Sequence, residues 1–469
     1  MGNSINEVVQ LPDKRFLVTS YSMNQKGPSE STAWLLSPRD PDAFKDVQMI
    51  TMAGLGLPDD IGQSVLEFNR THDDCRIAMV NYEQYSTDDD YEAGINKLKN
   101  DMTSGIVADL ILTAGVPYES LANKGIFEDL TPYMSSYTDA DYFMNFFDSL
   151  KYGDKLYQIG FSYSVDTMVG KKEVVGDKQG LNISEYMDKI DSLPSGMKPF
   201  SYASKTNALQ QFVISDLKAF TDVKTGTCTF NSPEFVRTLE FCNSLPNDEE
   251  MDQEMSVMSE EDQQKYWAEQ EYEFINNKTA LSSMYISDIK EFYRQEVTAF
   301  DEADTIRIGF PVAGENSGNG GRFSVYGTMA MSANSAVKDQ CWEFMSSMLS
   351  DEHQDNLSWS LPVKRSAYEK MAEEAMKPDY YEDENGKKVE QPITIWRGDE
   401  EVEVPLMPKS YADELKTYIE GIRTCSYYDM TIYNIIQEET EKYFAGDQTS
   451  QQAADMIQSR VSLYLSEQS

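Results

Sequence analysis

Residues 107–134 read VADLILTAGVPYESLANKGIFEDLTPYM, and the fold is decided here. Val107, Leu110, Ile111 and Leu112 spell a short buried strand; Gly115-Val116-Pro117-Tyr118 breaks it, and a short helix follows that stops at Gly125. Open α/β sheets take ligands at the carboxyl ends of their strands, so Tyr118, delivered by the turn after this strand, is a candidate ligand contact.

Upstream lie two more units of the same kind. Residues 48–53 form a strand, Gly54 to Asp60 a turn, and Ile61, Val65 and Phe68 recur at i, i+4 and i+7 along a helix. The turn is either a plain connection or a place where backbone amides and Asp59 meet a ligand. A second strand, 76–82, precedes the acid run Asp88-Asp89-Asp90 and a helix over 91–103 with Tyr91, Ile95, Leu98 and Met102 on one face. That run has no EF-hand spacing and stands where a helix N-terminus favours negative charge, so it reads as a cap rather than a calcium site.

The order strand, helix, strand, helix and then GIFEDLTPY resembles the extracellular solute-binding proteins of bacterial ABC importers, sugar-binding family 1. One departure is Ala108-Asp109, where that family usually has Pro-Asp. The helix from Val337 followed by Leu361-Pro362-Val363-Lys364, and the C-terminal run 443–467, are similar to the same family, so the resemblance spans roughly residues 48–467. It implies an α/β fold of the two-lobed, type II periplasmic-binding kind with a ligand cleft between lobes. The implied lobes are 48–160 with 327–360, and 161–326 with 361–469, with crossings near 160, 326 and 361. It also implies an upstream signal peptide and lipid-anchoring cysteine, hence a cell-surface lipoprotein.

Between and beyond these segments, a strand at 156–161 runs into Tyr163-Ser164-Val165, at the expected first crossing, with Tyr163 and Asp166 beside the cleft. Helices are expected over 183–193, 208–220 and 233–245, the last capped by Ser232 with Pro233 in its first position. The acidic, Met-rich segment 246–264 reads as a solvated insertion. A strand over 280–284 ends at Tyr285, which either stacks on a ligand or packs under the next helix. The glycines of 314–321 lack the spacing of a dinucleotide or phosphate loop and lead into a strand over 323–331, with Tyr326 near the hinge. Trp359 is either cleft-lining or core, and Trp396 ends a strand in a hairpin pair over 379–407. Thr449 and Gln452 form a capping box for a helix that buries Ala453, Ile457, Val461 and Leu465. Residues 1–47 read as a separate β segment, two strands around a turn and then a third, either the remnant of an upstream β domain or a hairpin packed on the main body.

The bulk numbers narrow the function. With 40 basic against 80 acidic residues the net charge is −40, which opposes binding to nucleic acid or anionic membranes. Two histidines and five scattered cysteines give almost nothing for a catalytic triad, a disulfide framework or a metal site, so no cofactor and no metal are expected. The 28 tyrosines and 5 tryptophans supply flat apolar faces for sugar rings. The resemblance thus implies a non-enzymatic, monomeric receptor that captures a carbohydrate, expected to be an oligosaccharide, by closing two lobes and passes it to a membrane permease. Tyr118, Tyr163, Tyr285, Tyr326, Trp359 and Trp396 are the candidate stacking residues, and Asp59 and Asp166 the candidate hydroxyl acceptors. Three alternatives stay open: the same fold binding a peptide or other cationic solute, a secreted glycoside hydrolase with two opposed carboxylates, and an adhesive role if the lobes cannot close.

Overall fold

A computed structural model of the chain describes residues 4–22, 30–37, 47–87, 90, 92–248, 256–263, 273–301, 303–312, 318–325, 327–383, 386–397 and 400–468. The chain divides into two compact units, Met1–Ala114 with Met329–Met348 and Gly115–Thr328 with Leu349–Ser469.

In the first unit the N-terminal strands Ser4–Gln10, Phe16–Ser22 and Glu30–Leu36 form an antiparallel sheet in chain order. The first hairpin turns through Lys14 at φ 68°, with the Leu11 amide donating to the Arg15 carbonyl at 2.7 Å. Val18 is buried, whereas Val8, Trp34, Leu35 and Leu36 are each about half exposed. The rest of the unit is α/β. Gln48–Gly54 pairs in parallel with both Cys75–Asn81 and Leu110–Leu112, and Met329–Met331 adds antiparallel to the latter. Helices Asp59–Thr71, Ala93–Thr103 and Lys338–Ser347 turn Ile61, Leu98 and Phe344 into the core. Asp109 ties the unit together: its carboxylate accepts from the Thr51 amide at 2.8 Å, the Thr51 hydroxyl at 2.7 Å and the Ser335 hydroxyl at 2.8 Å, locking strand to strand and to the loop after Met329–Met331.

The second unit is organised by one ten-residue strand, Ser162–Lys171. Thr279–Ile286 pairs antiparallel along one edge; the other edge takes Leu361–Pro362 opposite Ser162 and Tyr163, Arg322–Ser324 opposite Ser164 to Asp166, and Thr305–Arg307 opposite Val169 to Lys171. Lys198–Phe200 and Thr424–Cys425 extend the sheet outward. One face of the central strand is an aromatic core: Tyr163 stacks on Phe146 at 5.2 Å and meets Phe323 edge-on at 4.9 Å. Local signals hold as read. Ser232 accepts from the Phe235 amide at 3.2 Å with Pro233 opening the helix, and Thr449 and Gln452 cap the last helix reciprocally, with Ala453, Ile457, Val461 and Leu465 buried. The hairpin pair is present as Asp379–Glu382 with Lys388–Gln391 and Thr394–Arg397 with Glu400–Glu403.

Three expectations are corrected. Residues 156–161 are buried but not a strand: the Leu156 carbonyl accepts from the Leu130 amide at 2.7 Å and the Phe161 carbonyl from the Gln354 side chain at 2.7 Å, so these groups are satisfied by loops. A Cβ at Gly160 would stand 2.7 Å from Val325 and 2.9 Å from Phe146, a closeness only glycine permits. The single strand expected over 323–331 is two, Arg322–Ser324 in the second unit and Met329–Met331 in the first, because each pairs with a different sheet. The helix expected over 208–220 breaks into Lys205–Leu209, a π-turn at Gln210–Ile214 and a 3-10 turn at Leu217–Ala219.

Candidate functional site

The second unit carries a polar row across its central strands. Side chains alternate along Ser162–Lys171, so Ser164 and Asp166 share the face opposite Tyr163 and Val165. On neighbouring strands Asp166 stands opposite Tyr285 on one side and Arg322 on the other. Ser164 donates to the Tyr285 hydroxyl at 2.5 Å, and Tyr285 keeps 41% of its surface exposed.

Arg322 is 3% exposed. Its Nη1 donates to the Gln211 carbonyl at 2.8 Å, inside the π-turn, and its guanidinium lies 4.2 Å from the centre of the Phe310 ring. Asp216 approaches its Nε at 3.8 Å, and Asp216 Oδ1 is buried without a hydrogen-bond partner among the described residues. Burial raises the Asp216 carboxyl against the opposing pull of Arg322 and Lys218. Asp166 is half-buried and accepts no hydrogen bond among the described residues; burial pushes its carboxyl up to about 6, with Arg322 pulling the other way. A buried acceptor left unmet costs about 1–3 kcal/mol, so Asp216 Oδ1, beside the half-buried Asp166, marks a place where stability alone does not account for the row.

The other predicted residues are placed differently. Tyr118, 4% exposed, donates to Glu119 at 3.0 Å and accepts from Lys218 Nζ at 2.9 Å, edge-on to Tyr427, so its hydroxyl is engaged within the unit. Tyr163 is 1% exposed with its ring faces against phenylalanines. Trp359 is 70% exposed at φ 63°, a left-handed conformation that costs a bulky residue about 1–3 kcal/mol. Asp59, exposed, opens the first helix of the other unit, where its charge suits the helix dipole. Trp396 lies in the strand Thr394–Arg397 opposite Glu401, and Tyr326 lies outside the described residues.

The structure thus brings Asp166 and Tyr285 together and turns Tyr163 away from them. Sequence reading missed Ser164, Gln211, Asp216 and Arg322. Only the period of two along 162–171 could have linked Ser164 with Asp166; the partners from distant strands leave no local signal. Among the described residues no group of three or more His, Cys, Asp or Glu is arranged to hold a metal ion. Among the described residues no helix is long and apolar enough to cross a membrane.

Comparisons with known proteins agree with this architecture. No curated protein matches the sequence. Among solved structures, the sugar-binding protein MalE from Xanthomonas citri superposes with TM-score 0.50 at 15% identity, covering 90% of this chain and 98% of that one. A de novo designed cysteine esterase gives 0.50 at 13% identity, with 90% and 99% covered. The cyclic alpha-maltosyl-1,6-maltose binding protein from Arthrobacter globiformis gives 0.48 at 16%, with 90% and 100% covered. The MalE likeness establishes a two-lobed periplasmic-binding fold; fold alone does not separate binding from catalysis. The profile described as "Bacterial extracellular solute-binding protein" matches residues 63–380, well over half of the 469, and the chain belongs to that family.

Proposed function

We propose that the protein is the extracellular receptor of an ABC importer for a carbohydrate, and that it releases its ligand unchanged to a membrane permease. The observation that carries this reading is the half-buried Asp166 carboxylate without a hydrogen-bond partner among the described residues, on a strand next to the part-exposed Tyr285. A sugar ring supplies both complements, hydroxyl donors for the carboxylate and a C–H face for the aromatic. Family membership and the sugar-binding MalE of like fold point the same way. Trp359 is proposed as a second stacking residue, because an exposed tryptophan in a costly backbone conformation has no stabilising reason to be there. Asp59, Tyr326 and Trp396 are proposed as further ligand contacts; Tyr326 and the Trp396 side chain lie outside the described residues.

The moving lobes are proposed as 48–160 with 327–360 and 161–326 with 361–469, acting as a monomer tethered by an upstream lipid anchor. A thermal-shift screen with mono- and oligosaccharides and with basic peptides tests the reading. A ligand at 100 times its dissociation constant stabilises the fold by about 2.7 kcal/mol. The expected result is a shift with an oligosaccharide that is recovered uncleaved. Shifts confined to basic peptides replace the saccharide with a cationic solute, and cleavage replaces the receptor with a hydrolase.

A further inference from the structure

We infer that the Asp166 row selects for saccharides that carry no acidic group: its ligand supplies hydrogen-bond donors, as hydroxyl or ammonium, and uronates are rejected. This deepens the proposed function and rests on it.

The inference follows from which charges the row can offer. Arg322 is the cation beside Asp166, yet at 3% exposure, with Nη1 bonded to the Gln211 carbonyl and its plane over Phe310, it has no way to meet an incoming carboxylate. The two carboxylates that remain offer a ligand acceptor chemistry, and the neutral Tyr285 hydroxyl adds no positive charge to set against a ligand carboxylate. Among the described residues Asp166, half-buried, takes no hydrogen bond, and Asp216, 6% exposed, keeps Oδ1 unpaired. Arg322 and Lys218, the latter paired with Glu119 at 3.3 Å, stand against Asp166, Asp216 and Glu119, which leaves the row net negative when all three acids are ionised. A ligand carboxylate brought to it would be desolvated against like charge, whereas a hydroxyl would complete an unmet bond. Ser164 adds no donor for an anion, because its hydroxyl proton is committed to Tyr285 at 2.5 Å.

The test uses length-matched oligosaccharides that differ at one group, hydroxymethyl, aminomethyl or carboxylate, titrated into the native chain by calorimetry at pH 8. The neutral and amino members are expected to bind, and the carboxylate member to bind at least roughly tenfold more weakly. Asp166→Asn is expected to narrow that gap. The native chain supplies an independent readout, since protonating Asp166 should also shrink the gap at pH 5. The groups around Asp166 there are Arg322 on the adjacent strand, Tyr285 across the other edge, Asp216 beside Arg322 and Cys425 on the outer strand; of the four, Asp216 is the other acid, its carboxyl also raised by burial. An acidic member that binds as well as the neutral one, or a gap unchanged by both Asp166→Asn and pH 5, overturns the selectivity while the saccharide reading stands. Silence across the whole series overturns that reading and the selectivity with it.

Discussion

Two buried arginines flank the same central strand, and they are finished differently. Arg307, opposite Val169, reaches Glu296 at 3.0 Å, and Glu296 also accepts from Tyr411 at 2.8 Å and from Thr305. Only Arg307 Nε lacks a partner there among the described residues. Burial works against the Arg307 charge, but Glu296 and Tyr411 outweigh it and the pKa rises. Arg322, opposite Asp166, meets Asp216 Oδ2 only at 3.8 Å, and burial outweighs both aspartates, so its pKa falls. A closed network rigidifies a fold, while an open one of the same composition leaves chemistry available to a ligand.

Breaking the closed network should have the largest effect. Glu296→Ala strands a buried guanidinium and is expected to cost about 3–5 kcal/mol by urea unfolding, without changing which saccharides bind. The open network should respond with the opposite sign. An acid whose folded pKa is raised binds more protons folded than unfolded, so stability falls as pH rises from about 4 to about 6 and the cost is complete above that window. Asp166→Asn should therefore stabilise the free protein at pH 8 by up to about 3 kcal/mol, and by almost nothing near pH 4. Urea midpoints at the two pH values check this, and equal gains at both would remove Asp166 from the open side of the comparison.

Trp359→Gly is a smaller effect with two signs. Relief of the left-handed backbone should stabilise the chain by about 1 kcal/mol, partly offset by the glycine's greater unfolded-state entropy, while loss of the ring weakens saccharide binding. Loss of stability instead would assign the ring a packing role. A loss of about 1 kcal/mol or less is expected for Tyr285→Phe, since it removes one part-exposed hydroxyl and leaves the buried Ser164 donor only the Ser324 carbonyl at 3.4 Å.

What could be read in the sequence was local. Ser232 with Pro233, Thr449 with Gln452, and the Ala453 to Leu465 stripe each declare themselves within one or two helical turns, and the structure keeps them. The 107–134 stretch carried the fold for a related reason, because strand, breaker and helix follow one another without a gap. The open network was not local: Asp166, Asp216, Tyr285 and Arg322 meet only through strand register set by distant segments. Parity explains the rest. Tyr163 and Asp166, three residues apart on a strand, must face opposite ways, so only one of them could join a row with Tyr285. The run 323–331 misled because its pattern is continuous while its pairing is not.

The most direct measurement is a calorimetric titration of the saccharide found by thermal shift into the native chain and into Tyr285→Ala, with the sugar recovered afterwards. Binding at the polar row predicts an intact sugar, an unfolding temperature for free Tyr285→Ala close to native, and an affinity lower by roughly tenfold or more. Native affinity in Tyr285→Ala, or a cleaved sugar, would contradict it.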